Sequence, residues 1–280
     1  MRLGGCLKAV LTSTVISLGW VGAANAEALA IAGETENDWR FSLTPYLFLP
    51  VQTKGTSTVG GVEADLDLSL SDVLDLLQGA ASIRGEAWNG DWGVIADLYY
   101  VEIEAKGGAA VGPASQSYLD AKVTTKQTWF NLMGAYRFAQ GETGPVNRRW
   151  ALDASAGVRW NTLKQTVDAT LTLPPADLSQ DVSLGGTEEW FEPVIGLRGA
   201  WEVAERWTLG ARVDLGGFGV NGDKLQYLVL GGADWRPWEK VSFKLGWQFY
   251  GIDYETERSD GKFAYDVDQN GPYLGLTFRF

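Results

Sequence analysis

The sequence predicts an all-β fold, a closed antiparallel transmembrane β-barrel of about ten strands within a range of eight to twelve. Three observations predict it. Apolar and polar residues alternate through one segment after another. After residue 26, no apolar run approaches the ~20 residues that a spanning helix needs. The polar face of the segments carries Gly, Ser, Thr and charges of both signs, which suits a crowded lumen better than the solvent face of a sandwich.

The elements follow in chain order. Arg2 and Lys8 make a basic start, Ala9 to Ala23 is mostly apolar, and Ala24-Asn25-Ala26 is a small-x-small cleavage site. Residues 1–26 therefore read as a cleaved signal peptide, 27–37 as a periplasmic N-terminal segment and 38–280 as the barrel. Cys6 precedes the apolar run, so it is not the cysteine of a lipoprotein, and the mature chain has no disulfide framework. Removing Arg2 and Lys8 from 23 Lys+Arg leaves 21 against 35 Asp+Glu, a net charge of −14. That balance excludes nucleic acid as a partner, because phosphate binding needs a basic stripe.

In the first strand, Trp39, Phe41, Leu43, Pro45 and Leu47 oppose Arg40, Ser42, Thr44 and Tyr46. Segment 51–77 predicts a tall outer hairpin turned at Gly60-Gly61, then a short helix from Asp72 to Leu77 with Ser71 as its N-cap. Trp92, Val94, Ala96, Leu98 and Tyr100 oppose Gly93, Ile95, Asp97 and Tyr99. The same pattern returns around Phe130, Trp150, Trp207, Val241 and Leu274. Short turns at Asn89-Gly90-Asp91, 203–206 and 236–240, with a longer one at 140–149, sort to one side. The connections 51–77, 106–115, 173–187, 216–223 and 254–268 sort to the other, as longer outer loops. Trp92, Trp150, Trp201, Trp207 and Trp235 cluster near the short turns, as an interfacial aromatic girdle does. Small outward residues (Gly79, Ala81, Gly85, Ala87) fit tight curvature.

These features resemble Gram-negative outer-membrane β-barrel proteins over nearly all of 38–280. Leu274, Leu276, Phe278 and the terminal Phe280 look like the assembly signal of that class. The resemblance implies localisation in the outer membrane after export through the periplasm. It also implies two partners, outer-membrane lipid and the barrel-assembly machinery. The stretch Pro45-Tyr46-Leu47-Phe48-Leu49-Pro50 with Ser69-Leu70-Ser71-Asp72-Val73-Leu74 is similar to an uncharacterised group of bacterial barrel proteins, and no catalytic residue carries over from it.

Candidate chemistry lies on the lumen face. The strand parity points Arg84, Glu86, Asp97, Arg137, Asp153, Arg159, Glu192, Arg198, Arg212, Asp214, Asp234, Arg236 and Lys244 inward. Six are acidic and seven basic, which favours mutual pairing over a one-sign selectivity lining. A ten-strand barrel is barely wider than one filled by side chains, so any pore is narrow. The acids Glu63, Asp65, Asp67, Asp72 and Asp75, and Glu255, Glu257, Asp260 and Asp266, read as solvated faces rather than a metal site. With no histidine, Ser-His-Asp hydrolysis and His-based zinc chemistry are closed to this chain. The expectation is a non-enzyme without cofactor or metal. Its leading function is a narrow porin-like channel for small solutes, and the alternative is a structural or surface-interaction barrel with a plugged lumen.

Overall fold

The computed structural model describes residues 38–111, 117–173 and 178–280. The signal peptide and the 27–37 segment lie outside the described residues. In chain order the elements are β1 (Arg40–Phe48), β2 (Gln52–Val59), β3 (Val62–Ser69), α1 (Leu70–Leu76), β4 (Leu77–Asn89), β5 (Trp92–Val111) and β6 (Ser117–Thr143). There follow β7 (Arg148–Leu173), β8 (Leu178–Ala204), β9 (Trp207–Val220), β10 (Asp223–Trp238), β11 (Val241–Arg258) and β12 (Gly261–Arg279). Every pairing is antiparallel. Ten strands form a closed ring in the order β1-β4-β5-β6-β7-β8-β9-β10-β11-β12, sealed by β1 against β12. Closure pairs the backbone groups that hydrocarbon would leave unsatisfied.

β12 serves two partners. Its last part pairs with β1, from Phe48↔Tyr273 to Ser42↔Arg279. Its first part pairs with β2, from Ala264↔Thr58 to Asn270↔Gln52. The β2–β3 hairpin thus continues the sheet from β12 above the point where β1 stops. Gly60 and Gly61, at φ 61° and 77°, supply the left-handed pair that its two-residue turn requires. The outer edge of β3 carries no strand among the described residues, and β4 meets β1 only over residues 83–88.

Helix α1 begins earlier than the sequence suggested. Its N-cap is Ser69 rather than Ser71, because Ser69 and Asp72 form a capping box. The Asp72 amide donates to Ser69 Oγ at 3.4 Å, while Asp72 Oδ2 accepts from the Ser69 amide at 2.9 Å and from its hydroxyl at 2.6 Å. Those bonds hold the Asp72 carboxyl below the usual carboxylate range.

Outward-facing aromatics form two rows across neighbouring strands. At the short-turn end, Trp150 lies opposite Trp201, Trp207 opposite Trp235, and Trp92 opposite Tyr136. Trp235 stacks on both Trp207 and Phe243. At the other end, Phe130, Trp160 and Phe191 lie side by side on β6, β7 and β8. Trp150 and Trp160 are ten residues apart on β7, which is about 33 Å of strand and about 25 Å of height at a tilt near 40°. That matches the apolar band of an outer-membrane barrel.

Beyond the second row the strands go on, and here the structure corrects the sequence. The connections expected as long outer loops are largely strand. β11 runs to Arg258 and β12 starts at Gly261; β9 runs to Val220 and β10 starts at Asp223. β5 and β6 stay paired as far as Val111↔Ser117, and β7 and β8 as far as Leu173↔Leu178. In this collar the polarity of the two faces is exchanged. Glu102, Glu104, Lys122 and Lys126 face outward, with Lys126–Glu102 at 2.8 Å and Lys122–Glu104 at 2.7 Å. Val101, Ile103, Val123 and Val167 face inward. The alternation persists, but water now lies outside and the apolar side within.

The collar pairs make one pH prediction. Lys126 and Tyr100 hold the Glu102 carboxyl low, and Lys122 and Lys106 hold that of Glu104 low. A depressed carboxylate contributes stability above its ordinary pKa and loses it as pH falls through the lowered value. Below about pH 4, protection factors for the β5–β6 collar amides should therefore drop in hydrogen exchange, while those between the two aromatic rows stay constant. Equal loss in both regions would contradict this assignment.

Candidate functional site

The lumen is filled at two heights. In the lower layer, strand parity sets guanidinium and carboxylate groups at similar depth on facing walls. Arg84 pairs with Glu86 at 2.7 Å and with Asp97 at 2.9 Å. Arg198 on β8 crosses the lumen to Glu86 on β4 at 2.8 Å and also holds Asp153 at 2.6 Å. Arg212 on β9 crosses to Asp97 on β5 at 3.1 Å and pairs with Asp214 beside it. Arg137 completes Asp153 at 2.8 Å, and Arg159 binds Glu192 at 3.0 Å. Asp234 meets Arg279 at 3.3 Å. Lys244, Asp234, Arg198 and Arg212 line a remnant cavity of about 80 Å³. Arg236 lies toward the periplasmic end of β10, half-buried, with its amide donating to the Arg206 carbonyl.

Several partners were absent from the sequence-derived set although their parity was visible. Arg279 shares the face of Thr277 and Tyr273, and Tyr46, which donates to Asp97 Oδ1 at 2.9 Å, shares that of Thr44. Trp88 shares the face of Arg84 and Glu86. It is 1 % exposed, donates to Glu86 Oε2 at 3.0 Å and lies under the guanidinium groups of Arg137 and Arg198 at 5.1 and 5.3 Å. Its ring occupies the space left by Gly93, where a Cβ would come within 2.6 Å of it.

The upper layer is aromatic. Tyr46 stacks on Tyr273, Tyr99 on Trp129, and Trp190 on Tyr254 at a centroid distance of 3.9 Å. Gln127 on β6 donates at 2.7 Å to the Tyr250 hydroxyl on β11, the strand diametrically opposite in the ring. Gln226 donates to the same oxygen at 2.6 Å. Trp190 Nε1 donates to Asp223 Oδ2 at 3.0 Å. Above this layer the collar encloses a chamber of about 420 Å³, with the β2–β3 hairpin as one wall.

The other predicted residues are on the outside. Trp92, Trp150, Trp201, Trp207 and Trp235 lie on the outward face next to the short turns. Leu274, Leu276 and Phe278 occupy the outward face of β12, and Phe280 exchanges backbone hydrogen bonds with Phe41 at 3.3 and 2.9 Å. Glu63, Asp65 and Asp67 lie on the solvent side of the hairpin, opposite its apolar face.

No family model matches the chain, and no curated protein matches it. Solved structures do. The outer-membrane protease OmpT of Escherichia coli superposes with a TM-score of 0.54 at 13 % identity, over 89 % of this chain and 99 % of that one. The translocator domain of the autotransporter NalP from Neisseria meningitidis gives 0.46 at 13 % identity, over 90 % and 91 %. At such identity the likeness is one of fold. With the closed ring and the apolar belt, the OmpT superposition gives this chain the fold of an outer-membrane β-barrel.

Proposed function

We propose that the barrel is non-conducting, a plugged surface-interaction barrel that presents its collar to the exterior, rather than a porin-like channel for small solutes. The observation that carries this reading is that contacts cross the lumen at two heights. Arg198–Glu86 and Arg212–Asp97 span the lower layer, and Gln127–Tyr250 spans the upper one. A solute would have to break both layers, and separating a desolvated ion pair is costly. The reading is also non-enzymatic. Each of the six carboxylates expected in the lumen is held by an arginine, which suits packing better than proton transfer, and the chain has no histidine.

The same reading takes 1–26 as the export signal and Leu274, Leu276, Phe278 and Phe280 as the strand read by the assembly machinery. The partner along the belt is outer-membrane lipid. Single-channel recording on the refolded protein tests it. The expected trace shows no unit conductance above the lipid background. Reproducible steps that scale with the amount of protein would restore the narrow-channel reading.

A further inference from the structure

The outer chamber has a composition that neither a sealed plug nor a pore requires. One wall is the inward face of the β2–β3 hairpin, with Val59, Ala64, Leu66 and Leu68; the facing wall is the collar, with Val101 and Val123. Among the described residues not one charged side chain lines it, and the aromatic layer separates it from the charges below. Its volume of about 420 Å³ lies in the range of small-molecule sites. Val123 is 40 % exposed and Leu184 37 %, although both belong to the inward face. Apolar area left uncovered in this way favours an apolar occupant by roughly 25 cal/mol per Å² removed from water.

The polar atoms in the chamber narrow the choice. Gln165 is 2 % exposed; its Nε2 donates to Ser57 Oγ at 2.8 Å, and its Oε1 accepts no hydrogen bond from the described residues. Gln269 repeats the arrangement, with Nε2 donating to Thr53 Oγ1 at 3.4 Å and Oε1 without a donor. Two amide groups therefore hold the hairpin and keep a spare acceptor in a nearly dry space. A buried acceptor without a donor is costly, and a ligand hydroxyl or amide N–H would satisfy it. A carboxylate could not donate, and no cation among the described residues lines the chamber to neutralise it.

We propose that this chamber binds a neutral, single-chain amphiphile: a hydrocarbon body against the hairpin and collar, and a hydroxyl or similar donor head at Gln165 and Gln269. The wall is open on the side that such a molecule needs. Among the described residues β3 has a free edge, β4 is unpaired on that side over residues 77–82, and the chamber reaches Leu47 and Leu49 at the top of β1.

The test uses the refolded chain in phosphatidylcholine nanodiscs, titrated with labelled dodecanol or with dodecanoate at alkaline pH, against empty discs. Saturable binding of one dodecanol per barrel is expected, with dodecanoate weaker by roughly tenfold or more. Leu66→Trp fills the chamber and should abolish the saturable component. Gln165→Leu should weaken dodecanol by roughly fivefold without changing the weak dodecanoate signal. Heat-dependent gel migration checks that both variants fold. Uptake equal to that of empty discs, equal affinity for alcohol and carboxylate, or full binding by folded Leu66→Trp would each overturn the proposal. None of these readouts depends on conductance, so the site and the sealed lumen stand or fall separately.

Discussion

Arg159→Ala should lower the unfolding free energy of the barrel by about 3–5 kcal/mol. Arg159 is 2 % exposed and is the one arginine paired with Glu192, itself 1 % exposed, among the described residues. It also donates to Asn131 Oδ1 at 2.6 Å and lies 5.6 Å from the Trp129 ring. Truncation removes all three contacts and strands a carboxylate in a dry layer. Urea unfolding in detergent, followed by tryptophan fluorescence, measures the loss. The double variant Arg159→Leu/Glu192→Leu should recover most of it, because replacing both members of a buried pair by apolar groups is often near neutral. A loss below about 1 kcal/mol in the single variant would mean that water reaches this layer.

Trp88→Ala should cost a similar amount, about 3–5 kcal/mol, for a different reason. Here the loss is volume. The ring fills the short-turn end of the lumen over Gly93 and packs in one buried cluster with Ile95, Met133, Ala135 and Val194. The indole donor to Glu86 and the faces under Arg137 and Arg198 disappear with it. The converse substitution, Gly93→Val, forces a side chain into the same ring and should destabilise as well. Among the described residues the two side chains share no hydrogen-bond, ion-pair or ring partner, so the losses in an Arg159→Ala/Trp88→Ala double variant should add. Marked non-additivity would show that the lumen responds as one unit.

The belt was legible in the sequence because hydrocarbon admits one solution per strand. Trp92, Val94, Ala96 and Leu98 can face lipid only if Gly93, Ile95 and Asp97 face the lumen. Above the second aromatic row that constraint ends. Glu102 and Lys126 take the outward positions, Val101 and Val123 the inward ones, and a rule tuned to lipid sees a loop where the structure has strand. The lumen was legible as a set of charges and not as a set of bonds. Arg198 and Glu86 are 112 residues apart, Arg212 and Asp97 115, and nothing in local spacing encodes a contact across a ring. The helix start was missed by two residues, because Ser69 and Ser71 both suit an N-cap and only the position of Asp72 decides between them.

The seam between β1 and β12 bears on the order of assembly. Every other ladder of the ring joins strands that follow one another in the chain or, for β1 and β4, are separated only by the hairpin and α1. Those can form by short-range zippering. The seam must bring Ser42 to Arg279, across almost the whole described length, and its ladder lies within the short strand β1. Long-range closure carries the largest entropic cost and the slowest search. The wall should therefore be built progressively as an open ribbon, and become a cylinder in one final event in which the two ends of the chain meet in register.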